Sequence, residues 1–98
     1  MIDTIELSKK LISFESVTPA KQDIFDFLIK IFKEQGFTTK QLNFDGDGSY
    51  EVINLMATFG SPNTNAKHFN FLCHVDVVPP GNIEDWDTHP FEPTIKDG

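Results

Sequence analysis

The sequence has no arginine, a single cysteine (Cys73) and no uninterrupted apolar run longer than three residues. A lone cysteine cannot close an internal disulfide, and no Cys-x-x-Cys or other cysteine-rich zinc framework is present. Apolar runs this short fall far below the roughly 20 residues a helix needs to cross a bilayer, so no membrane span is expected. The eight basic residues are all lysine and face fifteen Asp and Glu, leaving a net charge of −7. Nucleic-acid binding is therefore not expected, because displacing counterions from phosphates takes a basic stripe. Any guanidinium clamp on a substrate carboxylate must also come from outside this chain. The stretch Met1–Glu6 has neither the basic nor the apolar region of a secretory signal, which points to the cytoplasm.

What is present suits one globular unit at most: 98 residues, 39% hydrophobic, with ten Phe against one Trp and one Tyr. The charge is uneven. Residues 45–98 hold nine acids and two lysines, whereas residues 1–36 hold six acids and five lysines. The acidic half reads either as a solvated surface or as a site that attracts cations.

Asp3 is placed to cap a first helix, with Glu6 in capping-box spacing and Leu7, Leu11 and Phe14 on one face. The pattern fades near Phe14. A second helix is expected with Thr18 as N-cap, Pro19 at its first position and Ile24, Phe27, Leu28, Ile31 and Phe32 as its buried face. Gly36 is placed to end it in a left-handed turn. Strands are expected over Phe37–Phe44 and Tyr50–Phe59, joined by a turn at Asp45-Gly46-Asp47-Gly48. The second of these has apolar residues on both faces, which suggests a strand covered on both sides. Gly60–Asn65 reads as a surface loop, and Phe69–His74 as a third strand that Val75–Pro80 carries into a proline-terminated bend. The fold class is α/β: two helices followed by strands of a mixed sheet.

The chemistry-bearing stretch is Phe71-Leu72-Cys73-His74-Val75-Asp76-Val77-Val78-Pro79-Pro80-Gly81. Strand periodicity sends His74 and Asp76 to one face, at a strand's carboxyl end, where ligands of open α/β sheets gather. A neutral imidazole there can bind a divalent metal through one nitrogen, while the other needs an acceptor that fixes the ring. Asp76 is either that acceptor or a ligand itself. His-x-Asp alone is a weak signal, since it also occurs as a structural hydrogen-bonded pair.

The text around it is more specific. His74-Val75-Asp76-Val77-Val78-Pro79-Pro80-Gly81, followed by Trp86-Asp87, Pro90-Phe91, Pro93 and Ile95-Lys96-Asp97-Gly98, resembles the amino-terminal part of the dinuclear zinc amidohydrolases. That group includes succinyl-diaminopimelate desuccinylases, acetylornithine deacetylases, aminoacylases and carboxypeptidase G-type enzymes, and the Val-Val-Pro-Pro-Gly continuation is most similar to the desuccinylases. The likeness extends to Leu11-Ile12-Ser13, Ser16–Pro19 and Asn54-Leu55, although only residues 71–98 are specific.

The resemblance implies that residues 1–98 are the N-terminal portion of a zinc-peptidase-like catalytic domain, with His74 a zinc ligand and Asp76 the catalytic, cluster-supporting acid. It implies two Zn2+ per complete site, with Co2+ able to substitute. The implied reaction is hydrolysis of N-succinyl-LL-2,6-diaminoheptanedioate to succinate and LL-2,6-diaminoheptanedioate, in lysine and diaminopimelate biosynthesis. A small N-acyl amino-acid substrate and a homodimer are implied for the full-length enzyme. The family's bridging Asp, general-base Glu, remaining ligands and dimerising lid match nothing up to Gly98, so the 98 residues alone are expected to be inactive. A further departure is Cys73, where the family often has Gly.

Other residues carry less. Cys73 would face away from His74 on a strand and reads as a buried structural thiol. His68 and His89 read as surface residues, and Glu84, Asp85 and Asp87 as solvated charge. Trp86 and Phe91 either line a substrate entrance or pin the loop that Pro79, Pro80, Pro90 and Pro93 stiffen. Three alternatives stay open: a related deacylase or metallopeptidase of the same superfamily, a non-catalytic remnant that associates through its apolar edge, and a non-haem iron oxygenase. The last needs a many-stranded barrel that this pattern does not suit.

Overall fold

The computed structural model describes residues 1–63 and 65–98. Two helices come first, α1 (Thr4–Ile12) and α2 (Gln22–Glu34), then an antiparallel pair, β1 (Thr38–Phe44) and β2 (Val52–Thr58), and a single 3-10 turn at Ile83–Asp85. Among the described residues, no helix is long and apolar enough to cross a membrane.

Helix α1 starts as its sequence dictates. The Asp3 carboxylate accepts from the Ile5 and Glu6 amides at 2.9 and 3.1 Å, satisfying two of the amides that a helix start leaves without partners. Glu6 does not turn back to complete a capping box; its carboxylate pairs with Lys9 at 2.9 Å. Leu7, Leu11 and Phe14 are half-buried, and the Phe14 ring meets Phe27 of α2 at 5.6 Å.

Helix α2 differs from expectation at its start. It begins at Gln22, with Lys21 in the cap position and no side-chain cap bond, and the Thr18–Pro19 peptide that precedes it is cis. Thr18 is not the cap because its amide and hydroxyl are spent elsewhere, on Val77 and Asp76. The helix ends as the sequence predicts. Gly36 takes φ 84°, the Phe37 amide donates to the Phe32 carbonyl at 2.9 Å and the Gly36 amide to the Lys33 carbonyl at 3.0 Å. This hydrogen-bonded stop turns the chain into β1. Phe37 then sits between Phe32 and Phe59, with ring centroids 5.2 and 5.1 Å away.

The tightest packing lies on α2, where Ile24 and Phe25 are 2% and 5% exposed. Phe25 was not on the expected buried face. It follows Ile24 directly, about 100° round the helix, so the buried stripe is wider than the expected face. Helix α2 contacts both strands, and reciprocal amide bonds between Gln22 and Gln41 at 2.8 and 2.9 Å tie the helix start to β1.

Strands β1 and β2 form in the expected places, but β2 is covered on one face only. Ile53, Leu55 and Ala57 are half-buried, whereas Val52, Met56 and the neighbouring Phe44 are 43%, 53% and 60% exposed. The expected third strand does not form. Phe69–His74 has no strand partner among the described residues, and Phe69, Phe71 and Leu72 stand 83%, 86% and 93% exposed. A strand exists only through its ladder partner, and none reaches this segment among the described residues. The sheet is thus a two-stranded antiparallel hairpin and not a mixed sheet. Its parallel element is reduced to an isolated bridge between Val17 and Val77. The expected loop at Gly60–Asn65 is exposed at its described positions; Thr64 lies outside the described residues.

The Cα radius of gyration is 16.4 Å, against about 13 Å for a compact chain of this length. With so little buried, the few core side chains carry much of the packing. Ile24→Ala is expected to lower unfolding free energy by about 2–5 kcal/mol, while Asp3→Ala costs about 1 kcal/mol. Urea unfolding followed by circular dichroism checks both, and equal effects from the two substitutions would contradict this packing.

Candidate functional site

The site is assembled by lacing the segment before α2 onto the His-x-Asp segment. Ser16 Oγ, 6% exposed as a residue, donates to the Val75 carbonyl at 2.7 Å. The Val77 amide donates to the Ser16 carbonyl, and the Thr18 amide to the Val77 carbonyl, each at 3.0 Å. Thr18 Oγ1 donates to Asp76 Oδ2 at 2.7 Å. Around the single parallel bridge between Val17 and Val77, Ser16 thus reaches a backbone carbonyl of the facing segment and Thr18 a carboxylate.

His74 and Asp76 meet as expected, although no strand holds them. His74 Nδ1 lies 2.8 Å from the Asp76 backbone carbonyl and 3.0 Å from Asp76 Oδ1. A carbonyl oxygen only accepts, so Nδ1 carries the proton and donates, and in the neutral ring the lone pair is on Nε2. The ring itself is 83% exposed, which leaves Nε2 open. In this geometry Asp76 acts as the acceptor for the ring. Its Oδ1 orients the imidazole and its Oδ2 takes the Thr18 hydroxyl, so both oxygens have protein partners.

The electrostatics follow from these bonds. His74 holds its proton to higher pH than an ordinary histidine, first because the Asp76 carbonyl accepts from the ring, then because the Asp76 carboxylate accepts and attracts it. Asp76 is held below the usual carboxylate range, first by the Thr18 hydroxyl and then by His74. A more basic imidazole whose other nitrogen is tied to a carboxylate is the donor a divalent metal prefers.

The fit to a metal is therefore one coordination position. His74 Nε2 suits it, yet among the described residues no three His, Cys, Asp or Glu side chains cluster to hold an ion. Other candidates stay apart from this chemistry. His68 is exposed, and His89 Nδ1 accepts the Phe91 amide at 3.2 Å within its own turn. Cys73, expected to be buried, is exposed, because the strand that would have buried it does not form. Glu84, Asp85 and Asp87 are exposed as expected.

Trp86 pins the loop: its indole N–H donates to the Pro80 carbonyl at 2.9 Å. With Phe91 and the prolines it also lines an apolar recess of about 370 Å³. A second recess of about 320 Å³ lies beside His74, between Leu11, Phe14, Val75 and Phe91.

Reading from sequence missed Ser16 and Thr18 as site residues. The available signal was their spacing of two, which matches that of His74 and Asp76 and marks a second extended segment able to pair with the first.

Fold and site together define an α/β chain that presents one carboxylate-oriented imidazole with a free nitrogen. Along nearly its whole length this chain is a relative of the succinyl-diaminopimelate desuccinylases. It is 46% identical over 99 residues to that of Wolbachia pipientis wMel, covering 99% of this chain and 23% of the relative. It is 47% identical over 92 residues to that of Pelagibacter ubique, covering 94% and 23%, and 37% identical over 98 residues to that of a Bradyrhizobium species, covering 100% and 25%. The chain thus spans about a quarter of the length of the curated relatives it matches. No protein-family model matches it.

Two outcomes are expected at this site. In the metal-free protein, His74 titrates above the ordinary value of 6.5, and Asp76→Asn brings the midpoint part of the way down, since the carbonyl bond survives while the charge is lost. Histidine proton NMR checks this, and a midpoint indifferent to the substitution would contradict the geometry. Cys73 reacts stoichiometrically with a thiol reagent without denaturant, and protection of the thiol would show that the segment is covered.

Proposed function

We propose that this chain is the N-terminal portion of the catalytic domain of a zinc-dependent succinyl-diaminopimelate desuccinylase. The observation that carries the reading is the combination of 46% identity across the whole chain with an imidazole tied at Nδ1 and open at Nε2. The reaction is amide hydrolysis of N-succinyl-LL-2,6-diaminoheptanedioate, releasing succinate and the free diamine. The complete enzyme is a cytoplasmic homodimer acting on this small molecule, with two Zn2+, or Co2+ in their place, per site.

His74 supplies a neutral nitrogen donor, and Asp76 keeps the ring proton on Nδ1 so that Nε2 remains the donor. The carboxylate also offsets positive charge gathered at the ring. When bound, such metal ions lower the pKa of a water and polarise the amide carbonyl. The chain brings one donor to that chemistry; the other ligands and the general base belong to the rest of the polypeptide, and the 98 residues alone are inactive.

A second reading has its own observation. Phe69, Phe71 and Leu72 stand exposed on a segment that has no strand partner among the described residues, which suits a non-catalytic module that associates through an apolar edge. The intact mass of the protein as its cell makes it separates the two. A mass near four times that of 98 residues favours the enzyme, and one matching 98 residues favours the module. In the longer polypeptide, His74→Ala is expected to lower succinyl-diaminopimelate hydrolysis by at least about a hundredfold, since even partners behind a metal ligand are worth about 10- to 100-fold. Undiminished hydrolysis would remove His74 from the site.

A further inference from the structure

The Asp76 carboxylate can orient His74 only while it is itself held, and one side chain holds it. Thr18 Oγ1 lies 2.7 Å from Asp76 Oδ2 and 3.3 Å from the Val77 carbonyl. A hydroxyl has one proton to donate, and the shorter contact to a charged acceptor takes it. The hydroxyl is also aimed in advance. Its backbone is clamped by the Thr18 amide to the Val77 carbonyl and by the Val77 amide to the Ser16 carbonyl, both at 3.0 Å, and a β-branched side chain has few rotamers to choose from. The terminal torsion of an aspartate is soft, so a carboxylate 39% exposed would otherwise sample a range of rotations. The hydroxyl has no competing role in capping α2, which starts at Gln22 behind Lys21.

We propose that Thr18 is a positioning residue for the metal-binding histidine: its hydroxyl anchors Asp76 Oδ2, so that Oδ1 stays on His74 Nδ1 and Nε2 keeps a single direction. The proposal deepens the reading of His74 as a ligand and rests on it for its functional consequence. Thr18 touches neither substrate nor metal. It acts through Asp76, two bonds removed from the donor nitrogen.

The test uses the full natural polypeptide carrying Thr18→Val, which keeps the shape and loses the hydroxyl, and Thr18→Ser, which keeps the hydroxyl. Proton and nitrogen NMR of the metal-free proteins, above the His74 titration, reads the ring proton on Nδ1 and the strength of its hydrogen bonds. All three proteins are expected to hold the proton on Nδ1, since the Asp76 carbonyl accepts it in each, and T18V is expected to show an upfield-shifted, faster-exchanging Nδ1 proton where wild type and T18S agree. Zinc affinity by chelator competition is expected to fall roughly tenfold in T18V, the low end of the range for such partners, and to stay within about threefold in T18S. In succinyl-diaminopimelate hydrolysis at saturating zinc, T18V lowers kcat while KM holds. Should the valine prevent folding, Thr18→Ala enters the same comparison.

A T18V protein with the wild-type ring-proton shift, exchange rate and zinc affinity overturns the proposal. If the wild-type polypeptide neither binds zinc nor hydrolyses the substrate, the proposed function fails, and the ring-proton comparison still decides whether Thr18 positions the pair.

Discussion

The structure depends on the lacing of residues 16–18 to residues 75–77. Four hydrogen bonds of 2.7–3.0 Å join segments about 59 positions apart, and they draw the His-x-Asp segment to the helical half of the molecule. Singly, each is worth about 1 kcal/mol, because the same groups bond to water when apart. Together they order one backbone against another, and Ser16 is buried in the process, which makes its bond to Val75 costly to lose. Loosening them frees the Asp76 carboxylate and, through it, the imidazole.

This dependence follows from how little else holds the segment. Ile24 and Phe25 are the hydrophobic residues buried among those described, and both belong to α2. Burial of that kind, about 1.5–3 kcal/mol per side chain, secures the helix and its neighbours. Beyond β2, from Phe69 to Cys73, the chain has neither ladder partner nor cover among the described residues. Phe69 and Phe71 contact one another at 4.9 Å and still stand largely in solvent. His74 and Asp76 follow that segment directly, where the bonds to residues 16–18 begin.

The helices and the hairpin were legible because their signals are local. Asp3 caps α1 through amides two and three residues away, Gly36 stops α2 by adopting a positive φ, and the alternation in β2 survives as a half-buried face. Most of the expectations that failed involved distant partners, although the capping box failed locally, when Glu6 paired with Lys9. Thr18 looked like a cap because a Thr-Pro pair suits one, but a carboxylate 58 positions away took its hydroxyl. Phe69–His74 looked like a strand because it is apolar, and apolar content supplies no ladder partner. Cys73 looked buried for the same reason and is exposed. The second apolar face of β2, with Val52 and Met56, has no covering element among the described residues.

The sequence by itself determined the spacing of two between His74 and Asp76 and the family the chain resembles, since these depend only on side-chain identity and order. It left open which groups Asp76 bonds. Only the tertiary structure decided that, by placing the Asp76 carbonyl and Oδ1 at one ring nitrogen and the Thr18 hydroxyl at Oδ2. The physical reason is that a carboxylate's role depends on which donors reach its two oxygens, and one of those donors comes from a segment no local pattern connects to it.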